Sequence, residues 1–326
     1  MRLALAFALL AAPVLAGTNE AIEAHILPGA AAFATTSADL ASVANADCRA
    51  EALRAPWNAT FDAWLGISHL TFGPIEENGR TLAIAFWPDT RGLVQKTVAR
   101  LIADQDPVVD EPEGFAQVSV AGRGLFALER LLYDPALADY GEDDYNCALA
   151  RAIATDLARM GAAIDTEWRQ DHAARLKTAG EAHNQTYLSP DEAAQTLYTA
   201  LMTGLEFTAD QRLGRPMGSF DRPRPNRAEA HRSGRSLRNV TLSLTALQDF
   251  AHALSDTPTP HTDVAFAEAL QAAQRPGPIL ADVSTVQGRI RVEAVQQRVR
   301  AIRDAVEQEI GSALGVSAGF NSADGD

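Results

Sequence analysis

Residues 149–168 read LARAIATDLARMGAAIDTEW and carry the clearest periodic signal in the chain. Leu149, Ile153, Leu157, Met160, Ile164 and Trp168 recur at spacings of four, four, three, four and four. That is one apolar stripe on a 3.6-residue period, the pattern of a helix packed on a core. A second series runs through Val283, Val286, Ile290, Val295, Val299, Ile302, Val306 and Ile310, with one irregular step. Ser189-Pro190-Asp191-Glu192 announces a third helix: a capping serine, proline in the first turn, and acids at the positive end. Weaker patterns predict helices over about 19–44, 50–70, 90–104, 115–133, 235–255 and 262–274. Pro28 is expected to kink or interrupt the first of these. Alternating strand patterns are essentially absent. Alanine, the best helix former, fills 62 of 326 positions, so the expected fold is all-α, built of helical bundles.

The chain is 47% hydrophobic and 21% charged, the balance of a globular protein rather than a disordered or collagen-like one. Its net charge of −14 repels phosphate backbones, so nucleic acid is not an expected partner. Residues 1–16, MRLALAFALLAAPVLA, read as a secretory signal. Arg2 is the positive start, an apolar run of about ten residues follows, and Val14-Leu15-Ala16 suits cleavage. The run is too short to span a bilayer. The expectation is a soluble, exported protein over 17–326, in a bacterial periplasm, with two helical halves at about 17–180 and 185–326. In that oxidising compartment Cys48 and Cys147, the two cysteines of the chain, are expected to form a disulfide.

The common catalytic signatures HExxH, GxSxG, the phosphate-binding loop and paired CxxC are missing. The seven histidines are scattered, and the Glu-Ala-His triplets at 23–25, 181–183 and 229–231 do not share a helical face. Two features stand out. Glu129 sits within a strongly apolar helix, where a carboxylate is costly without a cation or donors. It is a candidate metal ligand or general base, and equally a carboxylate paired with arginine. Between Arg212 and Arg238 there are eight arginines and two acids, a local charge of +6 in an acidic protein. Guanidinium forks suit carboxylate or phosphate recognition. The alternative is an internal network neutralising carboxylates such as Glu129, Glu206 or Asp210.

These stretches resemble the imelysin-like family of bacterial periplasmic proteins. The resemblance is carried by Trp57…Trp64…Gly73-Pro74, by Phe86-Trp87-Pro88-Asp89, and by the run from Gly124 through Glu129 to Tyr133. Arg212-Leu-Gly-Arg-Pro216, Arg232-Ser-Gly-Arg-Ser-Leu237 and the terminal residues 319–326 continue it. It implies an all-α fold of two packed helical subdomains, with a site where the bundles meet. Members are associated with iron-regulated uptake, and the founding member was described as a metallopeptidase. The family's Gly-x-His-x-x-Glu motif is incomplete here: Gly124 and Glu129 match, but Phe126 stands at the histidine. Phenylalanine neither ligates a metal nor moves a proton, and a zinc hydrolase needs three protein ligands and an open position.

The leading expectation is therefore a non-peptidase component of iron acquisition that binds a small anionic ligand or a chelated metal. Trp87, Arg215, Arg232, Ser233, Arg235 and Ser236 would contact the ligand, and Glu129 would be a cation ligand or an arginine partner. Iron or zinc is the metal the resemblance suggests. Two alternatives stand beside it. One is a metallopeptidase using Glu129 with a distant histidine such as His25 or His69. The other is a scaffold bound to a membrane-bound iron-uptake partner.

Overall fold

The computed structural model describes residues 16–277 and 280–316. The leader read in residues 1–16, apart from the backbone of Ala16, and the terminal residues 319–326 lie outside the described residues. Within them there is no strand, only one isolated bridge between Ser219 and Arg222. Nine helices of ten residues or more make up the frame. They are α1 (Leu27–Ala46), α2 (Ala50–Ile67), α3 (Leu93–Asp104), α4 (Gly124–Tyr133), α5 (Tyr145–Glu167), α6 (Pro190–Glu206), α7 (Ser236–Leu254), α8 (Pro260–Ala272) and α9 (Val286–Val306). None of the described helices is long and apolar enough to cross a membrane.

The helices pack in two neighbourhoods. In the first, α1 lies along α5 and against α2, and α4 packs on α2, α3 and α5. In the second, α6 and α8 both pack on α7 and on α9. The neighbourhoods join where α7 packs on α2, and one continuous apolar core runs through both. The apolar stripe running along α5 to Trp168 is buried as expected: Leu149, Ile153, Leu157, Met160, Ile164 and Trp168 are each at most 1% exposed. At Gly161 a side chain would meet Ser37 Oγ at 2.4 Å, so α5 and α1 approach closely there.

Three details differ from the sequence expectation. Pro28 does not interrupt its helix. A π-helical segment, Ala21–Ile26, runs straight into α1, and Leu27 N–H bonds the Ile22 carbonyl across it, so the hydrogen-bond ladder is already shifted by one residue where Pro28 brings no N–H. The helix expected over 115–133 is broken into Pro112–Phe115, a 3₁₀ turn at Val120–Gly122, and α4. The long C-terminal stripe is buried at Val283 and from Val295 onward, but Val286 and Ile290 are 61% and 59% exposed. The irregular step between Ile290 and Val295 is where the apolar face leaves the core. Cys48, just past α1, and Cys147, in the first turn of α5, form the disulfide, with Cα atoms 5.1 Å apart and a sequence separation of 99.

Candidate functional site

The site is built on α4, whose residues are all buried except Tyr133. Gly124 opens the helix with φ of +71°. A Cβ there would lie 2.2 Å from the Ala83 carbonyl oxygen and 2.3 Å from that of Ile84, so only glycine fits. On the opposite side Trp57 Nε1 donates to the Leu125 carbonyl at 3.1 Å. Phe126 meets Phe61 edge-on with ring centroids 5.5 Å apart. The position that the family motif gives to histidine is thus spent on aromatic packing between α4 and α2.

One turn further, Glu129 is 2% exposed. Its Oε1 accepts hydrogen bonds from Ser233 N at 3.0 Å and Ser233 Oγ at 2.8 Å. Burial pushes its carboxyl pKa up, against the opposing pull of the Ser233 bonds and of Arg232 and Arg235. Ser233 Oγ also lies 3.0 Å from the Ala230 carbonyl oxygen. One hydroxyl hydrogen cannot serve two acceptors. With Glu129 protonated, the carboxyl donates to Oγ and Oγ donates to Ala230. With Glu129 ionised, Oγ turns to the carboxylate.

Glu129 stands in the wall of a half-open cavity of about 160 Å³. Trp87, Arg130, Arg215, Arg227, His231 and Arg232 share that wall. Asp89 lines it too, but its oxygens accept from the backbone N–H groups of Arg91, Leu93 and Val94 at the start of α3. The cavity is therefore arginine-rich and short of carboxylates. Arg130 pairs with Asp134 at 2.9 Å, while its Nε is buried with no partner among the described residues. Arg232 lies 3.8 Å from the same Asp134, and Arg215 bonds the Gln211 side chain at 3.3 Å. Burial lowers the pKa of Arg130 and of Arg215, and repulsion from Arg232 and Arg227 respectively adds to it.

The fold thus gathers Trp87, Glu129, Arg215 and Arg232 around one space, with Ser233 holding Glu129. Arg235 and Ser236 stand outside that wall. Arg235 is used internally: it donates to Asn239 and Asn58, each at 2.7 Å, and to Asp62 at 2.6 Å. Its guanidinium also lies 4.2 Å from the Phe61 ring centroid. Ser236 begins α7 and is buried. Part of the arginine-rich stretch is therefore structural, as Arg212 paired with Glu229 at 2.8 Å also shows. Arg130, Arg227 and His231 join the cavity without having been singled out. Arg130 was hidden by its place inside an apolar helix, and His231 by a triplet with no local partner.

A directly held zinc or iron ion does not fit this donor set. Among the described residues no three His, Cys, Asp or Glu side chains converge on one point. The four arginines that line the same cavity oppose a bare cation. His25 and His69 sit elsewhere, with their Nε2 atoms 3.1 Å apart and both rings against Phe250.

The buried histidines set a pH dependence. Burial holds His25, His172 and His231 down to a pKa of about 4, and Arg232 contributes at His231. Unfolded histidines titrate near 6.5, so the unfolded chain takes up protons first as pH falls. Stability is expected to drop progressively between about pH 6.5 and 4. Glu129 acts in the opposite sense, since a raised carboxyl pKa costs stability as pH rises through it. Urea melts at pH 7, 5.5 and 4.5 check this: the midpoint should fall at each step, and less steeply in His172→Gln. A flat midpoint would contradict it.

Comparison with known proteins agrees with this architecture. The family model described as Imelysin matches residues 26–306. Iron-regulated protein A of Synechococcus elongatus is 24% identical over 287 residues, covering 80% of this chain and 74% of the relative. The crystal structure of an imelysin-like protein from Psychrobacter arcticum superimposes with a TM-score of 0.77 at 21% identity, over 93% of this chain and 98% of that one. That of a candidate iron-regulated protein A precursor from Parabacteroides distasonis gives 0.69 at 12% identity, over 93% and 97%. With its family match running through nearly all of the described helices, the chain belongs to the imelysin family.

Proposed function

We propose that this protein is an exported, non-peptidase binding component of iron acquisition, and that the cavity at Glu129 takes a small carboxylate-bearing ligand, free or chelating iron. The observation that carries this is the set of four arginines, 130, 215, 227 and 232, turned on one cavity with few carboxylates to answer them. The link to iron rests on the relatives described as iron-regulated protein A. Export rests on the leader in residues 1–16. A chelate fits where a bare ion does not, because its ligand carries the negative charge that the guanidinium groups require. Glu129, fixed by Ser233, orders the segment that carries Arg232 and tunes the net charge of the cavity.

Citrate and ferric citrate are the probes. Calorimetric titration of residues 17–326 should show binding, with Trp87 fluorescence changing alongside. Arg215→Ala and Arg232→Ala should each weaken binding about tenfold or more, the worth of a charged hydrogen bond, with the thermal midpoint little changed. Unchanged affinity in both variants overturns the reading.

A further inference from the structure

A second cavity of about 360 Å³ lies on the other side of Trp87 and Pro88, which line both spaces. Its volume falls in the range of small-molecule sites, roughly 300–1,000 Å³. Its walls are of opposite character to the first. Trp64, Leu65, Leu82, Ala85, Phe207 and Leu247 supply an apolar lining. Leu82 is 53% exposed, an unusual exposure for leucine in this chain.

The charges that reach this cavity are already matched. Arg212 and Glu229 line it but pair with each other at 2.8 Å, and Asn239 donates to Glu229 at 3.0 Å. His69 also lines it, and burial together with His25 and Arg212 holds its ring neutral. A contact between the Nε2 atoms of His25 and His69 requires one protonated and one bare nitrogen, which two neutral rings supply. Among the buried polar groups of this wall, one remains unanswered. Ser243 is 3% exposed and lines the cavity, and its Oγ has no hydrogen-bond partner among the described residues. A buried hydroxyl without a partner carries a desolvation cost that a ligand oxygen would remove.

We infer that this cavity is a second binding site, for a small uncharged molecule with a mainly apolar body and one hydroxyl or carbonyl oxygen that bonds Ser243 Oγ. The apolar walls take the body, and the internally paired Arg212 and Glu229 leave no charge for an ion to answer. The site is distinct in chemistry from the arginine cavity and does not depend on the reading given to that one.

The test uses 4-ethylphenol and its hydroxyl-free analogue 4-ethyltoluene as probes on residues 17–326, by saturation-transfer NMR and competition. 4-Ethylphenol should bind about three- to tenfold more tightly than 4-ethyltoluene, the worth of one neutral hydrogen bond. In Ser243→Ala the two probes should bind equally, and the variant should be no less stable than the parent, because it removes an unpartnered hydroxyl. Ser68→Phe, which places a ring in the lining, should abolish binding of both. No saturation transfer at millimolar probe, equal binding of the two probes by the parent, or a hydroxyl preference that survives Ser243→Ala overturns the inference. Citrate titration of the same samples reads the arginine cavity separately. Loss of citrate binding alone leaves this site standing, and loss of 4-ethylphenol binding alone removes only this site.

Discussion

Replacing Arg212 with methionine is expected to lower the unfolding free energy by about 3–5 kcal/mol, the usual consequence of stranding one member of a buried ion pair. The side chains of Arg212 and Glu229 are each 6% exposed, and Arg212 Nε donates to Glu229 Oε2 at 2.8 Å. The guanidinium also reaches Thr208 Oγ1 at 3.3 Å and lies 4.8 Å from the Phe207 ring centroid. Methionine keeps much of the volume and the contact with Phe207, so the loss is chiefly electrostatic. Glu229 would then retain Asn239 as donor and only the charge of Arg235, which makes no direct pair with it. The double variant Arg212→Met/Glu229→Leu should regain most of the loss, because it removes the stranded charge as well. Urea denaturation of the two variants checks both halves. A single variant within about 1 kcal/mol of the parent, on the scale of an exposed pair, would show that the pair is not desolvated as described.

The second large effect is at the disulfide. Cys48 and Cys147 are 1% and 0% exposed and are separated by 99 residues. In the chain-entropy account a ring of that size stabilises by about 4–5 kcal/mol, with measured losses for native disulfides of about 2–5. The double variant Cys48→Ala/Cys147→Ala is expected to lose that much in urea, with little change in the folded spectrum. Equal midpoints for the variant and the oxidised parent would refute this expectation.

Much of the fold was legible because helices declare themselves locally. The stripe from Leu149 to Trp168 needs only a 3.6-residue period and a core to face, and it has both. The cap at Ser189 was readable for the same reason: Ser189 Oγ accepts from Glu192 N at 3.2 Å, within four residues. The places where local reading failed are those where the partner is distant. Pro28 looked like a break because the π-helical turn ahead of it leaves no mark in composition. Val286 and Ile290 looked like core because periodicity cannot say where a helix leaves the body it packs on.

The site divides along the same line. Glu129 was conspicuous as a lone acid in an apolar run, and the arginine-rich stretch was conspicuous by charge. Which arginines face a cavity and which are internal was not legible. Arg235 and Arg232 are three residues apart. One is enclosed by Asn58, Asp62 and Asn239, which come from α2 and α7, and the other borders open space. Ser233, expected at the ligand, holds Glu129, a contact across 104 residues that no spacing announces. The cavity at Ser243 left no trace in the sequence, because a hydroxyl without a partner is defined by what does not touch it.

The disulfide also decides how the molecule responds to being cut. Residues 49–146 lie inside the covalent ring, and they include Trp87, Phe126 and Glu129. The arginines 212–238 lie outside it. A single nick anywhere in the ring leaves two segments still joined through the disulfide at the start of α5. A single nick in the segment from Met217 to Ser233 leaves two separate fragments. The two walls of the arginine cavity therefore differ in their tolerance of proteolysis, and the wall bearing Arg232 has no covalent tether to keep it in place.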